Sequence, residues 1–318
     1  MNVADLYLKL FLLVVLPLLC GMAFSKKPWS GAVSSRLFAL ALYAFQTSVA
    51  FLAVWNARLV NNAWALPFIA LAGWFLSMAI GLAAQPFMRH DQPQRGAFLF
   101  TLCLSNHGYT LLDIVALVVF GEAGLAQATY TQLLIIPFLI LVCFPVARHF
   151  GGGLQPGTVG QLLKQNLVDK RNLPLVAMLA GLVLNASGIP RPAVFGDVVH
   201  IAVYLGTLVS GVAVGLLFKA SHVLAYKKEN LFSIVYRSTL YPLFFFGAAR
   251  LFNLNPLDTV ILVLFGIVPS AIFSNLIADL FHLDKNLANS VYLLSTTLFL
   301  IVVLPVYLLA VATTMVLS

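Results

Sequence analysis

Ser105, Asn106, His107 and Gly108 interrupt an apolar run that begins at Ala97, and Asp113 follows before apolar residues resume from Ile114 to Phe120. A carboxylate inside such a run costs roughly 2.5–3.5 kcal/mol at the centre of a membrane span, so its presence asks for a use. Irregular backbone at that depth survives only where protein buries it or where it lines a cavity. A second run, from Ile261, is broken by Pro269, Ser270 and Ala271, with Ser274, Asn275 and Asp279 beyond. Proline removes a donor and clashes with the preceding turn, and nearby hydroxyls and amides can re-satisfy the freed groups. The chemistry available is recognition: amides and hydroxyls bond a small polar ligand, and half-helix N-termini present partial positive charge to an anion without a lysine. Candidate ligands are Ser105, Asn106, Ser270, Ser274 and Asn275 at the breaks, with Gln46 in an earlier run and Gln132 in a later one. Gly108 and Pro269 shape the breaks.

Each residue also has a structural reading. Asn106 can cap a half-helix, and Gln46, Thr47, Ser48 and Gln132 can bond between helices. Asp113 is a proton or cation site, a partner for a buried polar group, or a residue near a membrane surface. His107 reads as structural, because no metal-ligand cluster accompanies it. Glu122 and Asp279 read as solvated loop residues. The chain has no HExxH, no paired-Asp motif and no Ser/His partner, so neither an enzyme nor a metal or cofactor is expected.

The elements that carry these residues follow from composition. Of 318 residues 61% are hydrophobic and 9% charged, and the mean hydropathy is +0.99. That excludes an ordinary soluble domain. A span needs about 20 apolar residues, and the sequence offers ten: 5–24, 33–55, 63–87, 97–120, 126–147, 173–189, 194–218, 231–252, 257–281 and 287–316. The expectation is an all-α membrane protein within the lipid bilayer. The net charge of +8 does not imply nucleic acid, because the basic residues fall in short loops. Cys20, Cys103 and Cys143 lie in apolar runs and read as small packing residues. Asp5 and Lys9 precede the first apolar core while Lys26 and Lys27 follow it, the reverse of a signal peptide. Trp29, Trp55 and Trp64 stand at span ends, as interface anchors do.

Fourteen of the 18 Lys and Arg, Arg237 among them, are assigned to loops after odd-numbered spans. Those loops are then cytoplasmic and both termini lie outside. The longest connection, 151–172, opens on three glycines and carries apolar residues at helical spacing, which suggests an interfacial cytoplasmic helix. It separates two halves, 1–150 and 173–318, of five spans each. Leu125-Ala126 with Tyr130 recurs as Leu287-Ala288 with Tyr292, and Leu16-Pro17-Leu18 as Leu173-Pro174-Leu175. An odd number of spans per half inserts the halves with opposite topology, a common plan for secondary transporters.

Several motifs run in order along the chain: Ser105-Asn106, Gly108-Tyr109, the Gly121–Ala126 segment, Gln132, Leu173 through Gly181, Pro269-Ser270-Ala271, and Ser295-Thr296 at what reads as the opening of the last helix. In these the sequence resembles the auxin efflux carrier family, bacterial permeases related to the plant PIN-type carriers, over essentially the whole chain. It departs at Leu111 and Asp113, where the family has Gly-x-Pro, and in the second and seventh spans, where prolines are replaced near Thr47 or Ser48 and near Ser210-Gly211. The resemblance implies ten helices in two inverted five-helix repeats with crossover in the fourth and ninth. It implies a secondary transporter of a small organic anion in a bacterial inner membrane, and a homodimer. A proton or sodium ion is the candidate coupling partner, with Asp113 as the coupling group. A sodium-coupled symporter of the bile-acid type and a non-transporting membrane sensor are the alternatives.

Overall fold

The computed structural model describes residues 3–59, 61–108, 111–151, 172–218 and 225–316. Among them every named element is helical. The helices are α1 (Val3–Ala23), α2 (Ser30–Trp55) and α3 (Ala63–Met88), α4 (Gln92–Cys103) and α5 (Leu112–Thr131), α6 (135–151), α7 (Leu173–Ala186), α8 (Val194–Leu216), α9 (Lys227–Ser238), α10 (Leu240–Leu251), α11 (Pro256–Ile267) and α12 (Ile272–Leu280), and α13 (Lys285–Thr313).

Among the described residues, seven stretches are long and apolar enough to cross a membrane: α1, α2, α3, α5 with α6, α8, α9 with α10, and α13. The sequence leads one to expect ten. The difference arises where expected spans are cut short. The fourth is divided between α4 and the start of α5, and the ninth between α11 and α12. The sixth, α7, has 14 residues, about 21 Å of helix against a hydrocarbon core of about 30 Å. The chain turns again inside α5 at Gly121 (φ 67°). The expected interfacial helix at 151–172 lies almost wholly outside the described residues.

Local rules account for the boundaries near the breaks. Asp91 caps α4 in a capping box with Gln94, Asn255 Oδ1 accepts from Asp258 N at the start of α11, and Asp284 accepts from Asn286 N and Leu287 N at the start of α13. Pro93 and Pro256 stand in the first turns of α4 and α11, where no donor is lost. Widened π turns occupy Phe11–Val15, Leu139–Cys143 and Phe299–Val303. Pro17, Pro145 and Pro305 each stand four residues beyond the centre of one of these turns. A proline ring clashes with the carbonyl four residues back, and a local widening relieves it. The fourth widened turn, Ala41–Gln46, has no proline after it, but Thr47 Oγ1 donates to Leu42 O at 3.0 Å.

Two contacts fix the scaffold around the breaks. In the first, α1 crosses α8 at backbone distance: a Cβ added to Gly215 would stand 2.2 Å from Leu18 O, and one on Gly21 2.2 Å from Val212 O. Small residues spaced by four let membrane helices approach in this way. In the second, Trp74 stacks on Phe138, and Phe265 lies edge-on to Phe245 and stacks on His107 with centroids 3.6 Å apart. This aromatic core lies directly against the first break. Trp29 and Trp64 are exposed, as interface anchors would be, and Cys103 and Cys143 are buried free thiols.

Candidate functional site

The two breaks meet. Asn106 N donates to Pro269 O at 2.7 Å and Ala271 N to Leu104 O at 2.9 Å, an antiparallel bridge pairing Ser105 with Ser270. Each interruption therefore supplies what the other lost, because buried N–H and C=O groups must find partners. Pro269 has no N–H to satisfy and its carbonyl is used. Ser270 N donates to Ser295 Oγ at 3.3 Å, tying α13 to the bridge.

Around the bridge the polar residues divide into three groups. Asn106 faces a cavity of about 30 Å³, lined also by Val14 and Leu18 of α1, Thr207 of α8, and Tyr292 and Thr296 of α13. That is room for a water or two. The second group surrounds Gly108, whose φ is 81°. An added Cβ there would lie 3.2 Å from Gln46 Nε2 and 3.8 Å from Gln132 Oε1. Gln132 Nε2 donates to Asp113 Oδ1 at 2.9 Å and to Ala128 O at 3.0 Å. Asp113 is 2% exposed, in the first turn of α5, where the helix N-terminus favours negative charge. Asp113 is thus the partner of a buried amide. The third group is engaged in the bridge itself. Ser105 Oγ accepts from Arg237, and Ser274 Oγ donates to Ala271 O at the start of α12. Ser270 Oγ and Asn275 Oδ1 are buried without a hydrogen-bond partner among the described residues. His107 is held against Phe265, in keeping with a structural part, and Tyr109 lies outside the described residues.

Three expectations are corrected by this geometry. Arg237 is not a loop residue: it is 3% exposed and donates to Ser105 Oγ, Val268 O, Thr101 O, Leu102 O and Leu104 O. Its surroundings in the sequence suggest a loop because Lys227, Lys228, Glu229 and Asn230 precede it, whereas α9 begins at Lys227. Ser295-Thr296 does not open the last helix but lies in its eleventh and twelfth positions, level with the bridge. Glu122 is paired rather than simply solvated, accepting from Arg191 Nη2. Asp279 is exposed and pairs with Lys285. Sequence reasoning misses Thr207, Tyr292 and Arg237 as neighbours of the breaks. Thr207 and Tyr292 sit in continuous helices, where only packing reveals them. Among the described residues no group of three His, Cys, Asp or Glu could hold a metal ion.

Residues 158–308 match the model of a family described as membrane transport protein, the auxin efflux carrier family. Over that stretch, just under half of the chain, the sequence matches that family. It is a family of transporters, not of enzymes. The matched stretch holds the second break, Arg237 and the α13 face of the cavity, while Asn106, Asp113 and Gln132 lie before it. No curated protein matches the chain. The carrier is an integral membrane protein whose two broken stretches are joined backbone to backbone, with a polar-edged cavity beside the joint.

Proposed function

We propose that the carrier is a secondary active transporter of a small organic anion, with alternating access at the paired breaks. The observation that carries this reading is the bridge from Asn106 to Pro269 with the cavity beside it. The N-termini of α5 and α12 start from that joint, at Leu112 and Ile272, and would offer partial positive charge to a carboxylate. Asn106, Thr207, Tyr292 and Thr296 would bond the ligand, with apolar α1 and α8 side chains against its carbon skeleton. Asn275, with a buried unpartnered oxygen, would join when the site opens. Gln46 and Gln132 would contact the anion through the backbone gap at Gly108, and Asp113 would carry the coupling proton or cation.

On the same proposal 1–150 and 173–318 are inverted five-helix repeats crossing at the bridge, ten spans in all, with both termini outside a bacterial inner membrane and a homodimer as the working form. The matching plans of α4 and α11 support it: each starts at a capped, proline-bearing turn, runs 12 residues and stops at the bridge.

Uptake of labelled mono- and dicarboxylates into proteoliposomes tests the proposal, with Asn106→Ala beside wild type under a proton gradient, a sodium gradient and neither. We expect saturable uptake that falls about tenfold or more in the variant, the loss of one or two good hydrogen bonds. Uptake undiminished in Asn106→Ala would leave a carrier with its site elsewhere. No uptake of any anion by folded protein would count against the anion.

A further inference from the structure

Arg237 stands out because its charge faces no carboxylate among the described residues. It donates instead to five oxygens: Ser105 Oγ at 2.5 Å, Thr101 O at 2.7 Å, Leu102 O at 2.9 Å, Leu104 O at 3.0 Å and Val268 O at 3.2 Å. Four are backbone carbonyls, and they come from the C-terminal ends of both half-helices that stop at the bridge, α4 and α11. An isolated buried guanidinium is costly. Here each helix end carries about −0.5 of an elementary charge, so two ends together offset about one positive charge. The cage is thus matched in charge to a single monovalent cation. Unwound carbonyls and half-helix C-terminal ends are also the groups that hold sodium in ion-coupled carriers.

We propose that Arg237 is a tethered cation standing in the place of a bound coupling ion, so that the two breaks are held together without sodium and the carrier works independently of it. The guanidinium fits the task better than an ammonium would, since its planar fork reaches carbonyls of two helices at once. Its removal exposes an oxygen-lined vacancy of monovalent-cation type. In transport terms the inference rests on the reading above. In structural terms it does not, because the cage exists whether or not anything is carried.

The test uses the full-length protein in detergent, with choline chloride as background salt. Melting temperature is followed for wild type and Arg237→Ala while sodium, potassium, lithium or guanidinium is added well below denaturing concentrations. We expect the wild-type value to be flat in every salt. The variant should melt several degrees lower in choline and recover saturably with guanidinium and with at least one alkali cation. Wild-type uptake should be equal in sodium and in choline. No recovery of Arg237→Ala by any cation, or a wild-type Tm or uptake that rises with sodium, overturns the proposal. Should Arg237→Ala fail to fold, Arg237→Lys and Arg237→Met decide. A folded Lys variant beside a misfolded Met variant supports a required charge, and equal behaviour of the two overturns it. If wild type carries no anion while the cation pattern holds, the transport reading falls and the tethered cation stands.

Discussion

Gly108 holds a backbone conformation that a side chain resists, with the amides of Gln46 and Gln132 waiting where the side chain would go. Left-handed backbone costs an L-residue about 1–2 kcal/mol, and the 3.2 Å approach to Gln46 Nε2 adds a steric component. Gly108→Ala is therefore expected to lower the melting temperature and to reduce uptake. Adding Gln46→Ala should restore only the steric part, so a full rescue would show that the backbone is unstrained. Gln132→Leu probes the neighbouring bond, because it leaves Asp113 Oδ1 buried without its 2.9 Å donor. Losing a buried partner costs about 1–3 kcal/mol. The deficit should shrink in Gln132→Leu with Asp113→Leu, since the double variant removes the stranded acceptor along with its donor. Asn106 is legible in the sequence because a polar residue inside an apolar run is costly unless it bonds to something there. The Gln132–Asp113 pair is not, since it depends on the turn at Gly121 that folds α5 back on itself. Arg237 is hidden by its neighbours: a charge near other charges reads as a loop, and only the folded carbonyls disclose its place.

Helices, at the next scale, are positioned by how closely backbones approach. The crossing of α1 and α8 brings Gly215 Cα within 2.8 Å of where a Cβ on Gly21 would stand, and the crossing flanks the cavity through Leu18 and Gly211. Gly215→Val must push the helices apart, because the atoms in its way are backbone. Overpacking of this kind costs about 1–3 kcal/mol or more, so a lower yield of folded protein and a lower Tm are expected. Gly31→Ala, with nothing within 4 Å, is the control and should be neutral. A Gly215→Val protein as stable as wild type would mean that α1 and α8 are free to separate. Most helices follow from apolar runs and from caps such as Asp91, Asn255 and Asp284, which is why their ends match the expected spans to within a few residues. The widened turns are foreshadowed only by prolines that a hydropathy reading treats as tolerated. The division of the fourth and ninth spans into short helices follows from Ser105–Gly108 and Pro269. That the two divisions pair as an antiparallel bridge does not, because the pairing joins residues 165 positions apart.

Across the whole molecule, some of the ties between the first and second halves gather near two different sets of helix ends. In one, Arg191, before α8, donates to Glu122 and to Leu52 O, and Trp55 Nε1 donates to Ile189 O at 2.7 Å. In the other, His90 Nε2 meets Glu229 Oε1 at 2.8 Å, and Asp284 N donates to Pro93 O. If one half rocks against the other around the bridge, the two sets open alternately, and weakening either shifts the population toward its own open face. Glu122→Gln and Glu229→Gln each remove a charge while keeping an acceptor oxygen, so the helices should still pack. The reporter is Thr296→Cys on the cavity wall, in protein whose Cys20, Cys103 and Cys143 are replaced by serine. An impermeant maleimide added from one side of oriented vesicles should label it faster in one of the two variants and more slowly in the other, and the double variant should return toward the starting rate. Changes of the same sign in both would describe loosened loops on a static body, and the rocking of the halves would have to be given up.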